Sequence, residues 1–216
     1  LESIKPKHGN AVYAEAQNEI RVADINDLQR LEPAPYQRIR ELKGQADEAK
    51  NANKWDDVIK FSEQIKNEVL SGLAQLKNEA DRKERDANQA LDQLRGEAGN
   101  RYAPEVVVTV QSEIQNASKI SNEDRDYVLA ANRFAEAKNK AEEGVVQVLR
   151  RRSREAIEEI EGNITTALIE GAKQFKNDDY EKANEFYLRI ITDFEEGRYR
   201  PVIEASKVLL SQTQIL

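Results

Sequence analysis

Few side chains in this sequence are of the types that catalyse reactions or bind metals. The chain has no cysteine and a single histidine, His8. Thiolate catalysis, disulfides and cysteine-type zinc sites are therefore excluded, and imidazole chemistry would depend on one residue in a polar segment. Glycine-rich phosphate-binding motifs and the Gly-x-Ser-x-Gly motif do not occur in the sequence. The sequence predicts a protein that is not an enzyme and that requires no cofactor and no metal.

A run of arginines is the strongest local charge feature. Its members are Arg150, Arg151, Arg152 and Arg154. Glutamates between 155 and 161 follow at the three- and four-residue spacing that allows ion pairs along a helix. Two interpretations stay open: an exposed helix segment whose charges pair with one another, and an interaction surface for an acidic partner or an anionic lipid. Nucleic acid is disfavoured, because no stacking aromatic accompanies the run and the net charge is −7.

The composition is typical of long amphipathic helices. Of the 216 residues, 34% are charged and 6% are aromatic, with only 9 glycines and 5 prolines. Apolar residues recur at three- and four-residue spacing between clusters of glycine and proline, which predicts helices throughout. No apolar run approaches the ~20 residues that cross a bilayer. The chain is therefore expected to be all-α: an elongated array of antiparallel helical hairpins with one or two very long helices.

Polar connections and helix breakers divide the chain into predicted segments. A helix over residues 11–31 is expected to break near Asp24 to Asp27. Trp55 opens an apolar pattern long enough for a helix of about 45 residues, or ~65 Å. Pro104 favours a helix over the valine-rich residues that follow it, because proline suits a first turn. The predicted segments are a flexible leader (1–10), N-terminal hairpins with a long helix (11–100), a second long hairpin (101–161) and C-terminal hairpins (162–216).

Three helix–turn–helix units can be aligned with one another. An aromatic residue opens the second helix of each unit after a polar turn: Trp55, Tyr127 and Tyr180. Nine positions earlier, on the preceding helix, lies a small residue that would let the two helices approach: Ala46, Ser118 or Gly171. The aromatic ring would close the turn end of the pair. The residues expected in the core of the repeat are Trp55, Ala46, Tyr127, Ala130, Phe134, Gly171 and Ala183.

The third unit resembles a tetratricopeptide repeat. The match consists of a small residue, an aromatic, an alanine and a second aromatic: Gly171, Tyr180, Ala183 and Tyr187. The resemblance implies tetratricopeptide-like hairpins in the C-terminal part of the chain and a role in binding other proteins.

Ala-Pro pairs begin two of the predicted helices, at 34–35 and 103–104. Together with alanine-spaced helices, they make the chain similar to exported bacterial envelope proteins and lipoproteins with tetratricopeptide-like hairpins. Spirochaete flagellar coiling proteins, which coat the flagellar filament, are all-helical and elongated in a similar way. These resemblances imply a periplasmic or otherwise exported location, and a cytoplasmic location is the alternative.

The function expected from these features is protein–protein assembly. The leading interpretation is a structural or scaffolding protein that presents an extended helical surface in a periplasm, an envelope or a filament coat. The alternative is a tetratricopeptide-type adaptor that binds a peptide or a transporter component. Expected partners are proteins, self-association included. Aromatics of the last hairpins, Phe175 among them, are expected to be mostly core, with their edge as a docking surface. The candidate interaction surface consists of Tyr180, Tyr187, Phe194, Tyr199, Arg150, Arg151, Arg152 and Arg154.

Overall fold

The structure is a computed structural model that describes residues 4–213. Within that range every regular element is helical and no strand occurs, which confirms the all-α prediction. The helices are α1 (Ile4–Ile25), α2 (Leu28–Leu31), α3 (Pro33–Asn51), α4 (Trp55–Gly96), α5 (Gly99–Tyr102), α6 (Pro104–Lys119), α7 (Tyr127–Ile169), α8 (Ala172–Phe175), α9 (Asn177–Glu195) and α10 (Tyr199–Thr213). None of these helices is both long enough and apolar enough to cross a lipid bilayer.

Two of the helices are very long and pack antiparallel to their neighbours, as predicted. Helix α4 has 42 residues and helix α7 has 43. The charged middle of α4 stays helical because Ala80 and Ala87 are fully buried on one face, while ion pairs such as Arg82 with Glu79 cover the exposed face. The valines after Pro104 are helical too, as predicted, in α6.

The chain reverses direction at three joints that share the same backbone conformation. Each joint consists of a residue in the left-handed conformation, a helix of four residues, and a residue with φ between −135° and −148°. The left-handed residues are Asp27 (φ 52°), Ala98 (φ 70°) and Gly171 (φ 92°). The first joint confirms the break expected near Asp24 to Asp27. At the third joint Gly171 links α7 to α8, so the expectation that it lies inside a packed helix is wrong.

The joints and turns reveal a repeat of about 72 residues. Left-handed residues Asn53, Arg125 and Gly197 precede α4, α7 and α10 by two positions. The aromatic residues that begin these helices are Trp55, Tyr127 and Tyr199. The predicted repeat placed Tyr180 in this role, but Tyr180 lies within the first turn of α9. The third aromatic of the predicted repeat is therefore corrected from Tyr180 to Tyr199.

At two of these turns a small residue of an earlier helix, Gly9 of α1 or Ser153 of α7, contacts the aromatic residue. A Cβ on Gly9 would lie 2.9 Å from Cε3 of Trp55. Ser153 donates a hydrogen bond to the carbonyl of Tyr199, at 3.1 Å. The contact with Gly9 requires α1 to be ordered well before residue 11. The flexible leader predicted for residues 1–10 is therefore wrong from Ile4 onward, and His8 is an exposed residue of α1.

Most of the expected repeat-core residues are buried. Tyr127 keeps 7% exposure and Trp55 is half-buried, while the remaining helical members are buried: Ala46, Ala130, Phe134 and Ala183. The counterpart of Ala46 in the second repeat is the buried Ala117 instead of the predicted Ser118. A π turn at Ile120–Asp124 absorbs one extra residue after Ala117, which shifts that register by one position.

The chain divides into two compact units that are discontinuous in sequence. One contains residues up to Asn88 together with Ser112–Ala137, and the other contains Gln89–Gln111 together with the chain from Lys138. Each unit has its own apolar cluster. The structure therefore groups the chain differently from the consecutive segments 11–100, 101–161 and 162–216, because the long helices contribute to both units.

Close contacts at two equivalent glycines hold the first two joints against the next long helix. A Cβ on Gly72 of α4 would lie 2.9 Å from Cδ2 of Leu28 and 3.3 Å from Cβ of Pro35. A Cβ on Gly144 of α7 would lie 2.9 Å from Cγ1 of Val106. Pro35 and Val106 are equivalent, since each follows its left-handed residue by eight positions. The two glycines are 72 residues apart, so this close contact recurs with the period of the repeat.

Gly72→Ala should therefore destabilise the fold by about 1–2 kcal/mol, because Leu28 is fully buried and cannot move aside freely. Gly44→Ala is the matched control, since nothing lies within 4 Å of a Cβ at that helical position. It should stabilise the protein by about 0.5–1 kcal/mol. Urea unfolding of the two variants measures the difference. Equal effects of the two substitutions would contradict the close contact.

The pKa of Tyr13 gives a pH-dependent prediction. Burial, together with a hydrogen bond to Asp47 and the charge of that carboxylate, raises the pKa of Tyr13 from its ordinary value near 10 to about 12. The folded value lies above the unfolded one, so this stabilisation is complete below pH 10 and is lost as the pH rises through 12. The stability difference between wild type and Tyr13→Phe should shrink over that interval in urea unfolding. A difference in unfolding free energy between wild type and Tyr13→Phe that stays constant from pH 9 to 12 would contradict the raised pKa of Tyr13.

Candidate protein-binding site

The arginine run lies on α7, and its members have different surroundings. Arg152 forms an ion pair with Glu97 at 2.8 Å, and Glu97 also pairs with Arg200 at 2.6 Å. Arg151 donates a hydrogen bond to the carbonyl of Tyr102. These contacts fasten α7 to the second joint. For Arg152 the expected pairing along its own helix is therefore wrong.

Arg150 and Arg154 are exposed and have neither an ion pair nor a side-chain hydrogen bond in the part of the chain that the structure describes, and the exposed Arg151 has only its hydrogen bond to the Tyr102 carbonyl. With Gln147 and Arg151 they line a shallow surface groove, named here the arginine groove. Glu155, the nearest glutamate in sequence, pairs with Arg101 at 2.7 Å and accepts a hydrogen bond from the Tyr102 hydroxyl. Two guanidinium groups at the groove, those of Arg150 and Arg154, are therefore not neutralised by Glu155.

The predicted aromatic residues lie at the edge of the second unit's apolar cluster. Tyr180, Tyr187 and Phe194 are half-buried against this cluster. Tyr199, also half-buried, packs edge-on against Phe194, with ring centroids 5.6 Å apart and an interplanar angle of 63°. Burial, with the charge of Glu161, raises the pKa of Tyr187. These four rings mainly stabilise the packing of α9 and α10, and each leaves only part of its surface accessible.

The third joint carries an apolar surface that the sequence interpretation assigned to the core. Ile169 and Phe175 are 80% and 83% exposed, the highest values among the large apolar side chains of the described residues, and Leu168 is 45% exposed. A Cβ on Gly171 would lie 3.2 Å from the ring of Phe175, so this ring covers the left-handed residue. Leu168, Ile169 and Phe175, which flank Gly171, are named here the joint patch.

The residues that correspond to Phe175 at the other two joints are half-buried. Leu31 at the first joint is half-buried. Tyr102 at the second joint is half-buried, and its hydrogen bond to Glu155 raises the pKa of its hydroxyl. Each stands four residues after its left-handed residue, as Phe175 does after Gly171. The prediction that Phe175 is core is wrong, because no helix of the described chain covers the third joint as α7 covers the second. The 72-residue spacing of Trp55, Tyr127 and Tyr199 was the sequence signal that could have aligned the joints.

The described residues contain no group of three or more His, Asp or Glu side chains that could hold a metal ion. The stretch that resembles a tetratricopeptide repeat contains Gly171, the four-residue α8 and the first half of α9, in place of two helices of similar length. No family model, curated protein or solved structure matches the chain.

Phe175→Ala should change the free energy of unfolding by less than about 0.5 kcal/mol, because the ring is 83% exposed. Phe134→Ala, the matched substitution of a fully buried ring, should cost about 3–5 kcal/mol. Urea unfolding followed by circular dichroism compares the two variants. A loss of more than about 1 kcal/mol in Phe175→Ala would show that the ring is part of the core.

Proposed function

We propose that this chain is a non-enzymatic structural protein whose repeated helices present a surface for protein–protein assembly. The observation that carries the proposal is the joint patch. An exposed phenylalanine and isoleucine on either side of one joint leave apolar area in water, and contiguous apolar area at a protein surface marks an interaction site. Covering that area would contribute about 25 cal/mol per Å².

The frame behind the joint patch supports this role. Helices α9 and α10 pack on each other around Ile190, Val202 and Leu209, which are nearly or fully buried. The patch is thus attached to a packed core, so a partner need not order a loose segment when it binds. The elongated shape predicted from the sequence remains part of this proposal, as does the periplasmic or envelope setting that the resemblances imply.

The second candidate function is an adaptor that binds an acidic segment of another protein, as in the tetratricopeptide-type alternative. The arginine groove favours it, because Arg150 and Arg154 are exposed and have no ion pair among the described residues. Arginine forms paired hydrogen bonds with carboxylates, which suits recognition of Asp or Glu side chains. The arginine groove and the joint patch differ in chemistry, so one experiment can separate the two functions.

The test is crosslinking in the source cells followed by affinity capture, with mass spectrometry of the recovered proteins. Three variants are compared with wild type: Phe175→Asp at the patch, the double charge reversal Arg150→Glu with Arg154→Glu at the groove, and Val108→Asp as a control. Val108 is 66% exposed on α6, so its substitution changes apolar surface elsewhere. Assembly through the patch predicts that Phe175→Asp loses partners which Val108→Asp retains.

The identity of the recovered proteins distinguishes the candidates further. Abundant structural proteins lost only with Phe175→Asp support the scaffold. A single substoichiometric partner lost only in the arginine double variant supports the adaptor. Recovery that none of the three variants changes would contradict both surfaces.

A further inference from the structure

Helix α10 corresponds to the first part of α7, and helix α1 corresponds to its last part. Helix α10 starts at Tyr199, as α7 starts at Tyr127, and its 15 residues match the first 15 of the 43 in α7. Helix α1 ends two residues before Asp27, as α7 ends two residues before Gly171, and its 22 residues match the last 22 of α7. Because these 22 residues of α7 include those that contact the second joint, a helix equivalent to α1 could cover the third joint in the same way.

The second joint shows what such a covering helix does. Arg151 of α7 donates a hydrogen bond to the carbonyl of Tyr102, and the carboxylate of Glu155 accepts a hydrogen bond from the Tyr102 hydroxyl. Counted back from the left-handed residues, Arg151 corresponds to Lys7 of α1 and Glu155 corresponds to Ala11. Tyr102 corresponds to Phe175 of the joint patch.

The residue differences on the two sides of the contact compensate each other. Phe175 lacks the hydroxyl of Tyr102, and Ala11 lacks the carboxylate that would accept it. A polar pair at the second joint thus becomes an apolar pair at the third, with no polar group left without a partner. Lys7, like its equivalent Arg151, is a cationic donor, so it could donate a hydrogen bond to the carbonyl of Phe175.

The ion pair next to Tyr102 at the second joint has counterparts of the same chemical type at the third joint and on α1. Arg152 pairs with Glu97 at the second joint, and the corresponding residues are His8 and Glu170, both exposed. His8 can donate a hydrogen bond to the Glu170 carboxylate. The other basic partner of Glu97, Arg200, corresponds to Asp56, whose charge Lys5 compensates at 2.8 Å. The contact at the third joint would therefore have one basic partner in place of two.

Helix α1 exposes the surface that this docking requires. Ile4, Lys7 and Ala11 lie at three- and four-residue spacing along one face, and all three are exposed. Ile4 is 63% exposed, whereas the corresponding residue of α7, Val148, is fully buried. Ile4 on one side of the proposed contact and Phe175 on the other thus have equivalents within the chain, Val148 and Tyr102, that are buried and half-buried.

We propose that the joint patch of one copy binds the exposed face of α1 from a second copy, so that copies associate head to tail. The inference rests on the proposed assembly function and names the partner at the same patch. The contact is heterologous, because patch and α1 face are different surfaces, so each copy keeps a free surface to which another can add. Repeats stacked by one recurring contact behave in this way within single chains.

Sedimentation velocity over about 1 µM to 1 mM protein tests association at the affinities of weak to moderate interfaces. We expect the mean mass to rise with concentration through dimers to longer species. Phe175→Asp, which blocks the patch, and Ala11→Asp, which blocks the α1 face, should each weaken association about tenfold or more. Val108→Asp is the control and should associate as wild type. Both substituted positions are exposed, and circular dichroism confirms the fold of each variant.

Mixing the two blocked variants gives the decisive result. The Ala11→Asp copy has an intact patch and the Phe175→Asp copy has an intact α1 face, so the mixture should form a 1:1 heterodimer that does not grow. Wild type that stays monomeric over the whole range overturns the proposal. Association that Phe175→Asp abolishes and the mixture does not restore also overturns it, because the patch would then bind its own copy. Capture of other proteins through Phe175 would leave the assembly function standing in either case, so the two failures are distinguishable.

Discussion

The reversal of the chain at left-handed residues is the constraint on which the helical packing depends. A four-residue helix between two non-helical residues turns each long segment into the next, and the same joint recurs at Asp27, Ala98 and Gly171. Only the third joint uses glycine, so the first two hold non-glycine residues in a conformation that costs roughly 1–2 kcal/mol each. At the first joint, burial of the Leu28 side chain, which follows Asp27, offsets that cost.

Small residues determine how closely the helices approach once the joints have turned them. Gly72 and Gly144 admit the start of the preceding shorter helix, α3 or α6. Gly9 admits the ring of Trp55 at the start of α4, and Ser153 donates a hydrogen bond to the carbonyl of Tyr199 at the start of α10. Because these contacts recur with the 72-residue period, an inserted residue must be absorbed between them. The π turn at Ile120–Asp124 does this in the second repeat while Ala117 stays buried.

The same repetition explains why one joint differs from the others in what it leaves exposed. A repeat unit buries one of its surfaces only when the next unit covers it. The second joint is held by Arg151, Arg152 and Glu155 of α7, whereas the third has no such helix among the described residues. The third joint also differs in side chains, because it has Phe175 at the position where the second joint has Tyr102. An apolar residue at that position is suited to a partner surface without hydrogen-bonding groups.

The sequence by itself determined the helical class, the long helices and the existence of a repeat. Three- and four-residue apolar spacing and scarce breakers are local properties that the chain shows directly. Alignment by polar turns did not determine the register of the repeat, because Tyr180 and Tyr199 both follow polar turns. The equal 72-residue spacing favours Tyr199, and the hydrogen bond from Ser153 to the Tyr199 carbonyl agrees with it. The exposure of Phe175 and the pairing of Arg152 with Glu97 were decided by tertiary structure. Amphipathic spacing predicts which face is apolar, but whether another helix covers that face depends on residues far away in sequence.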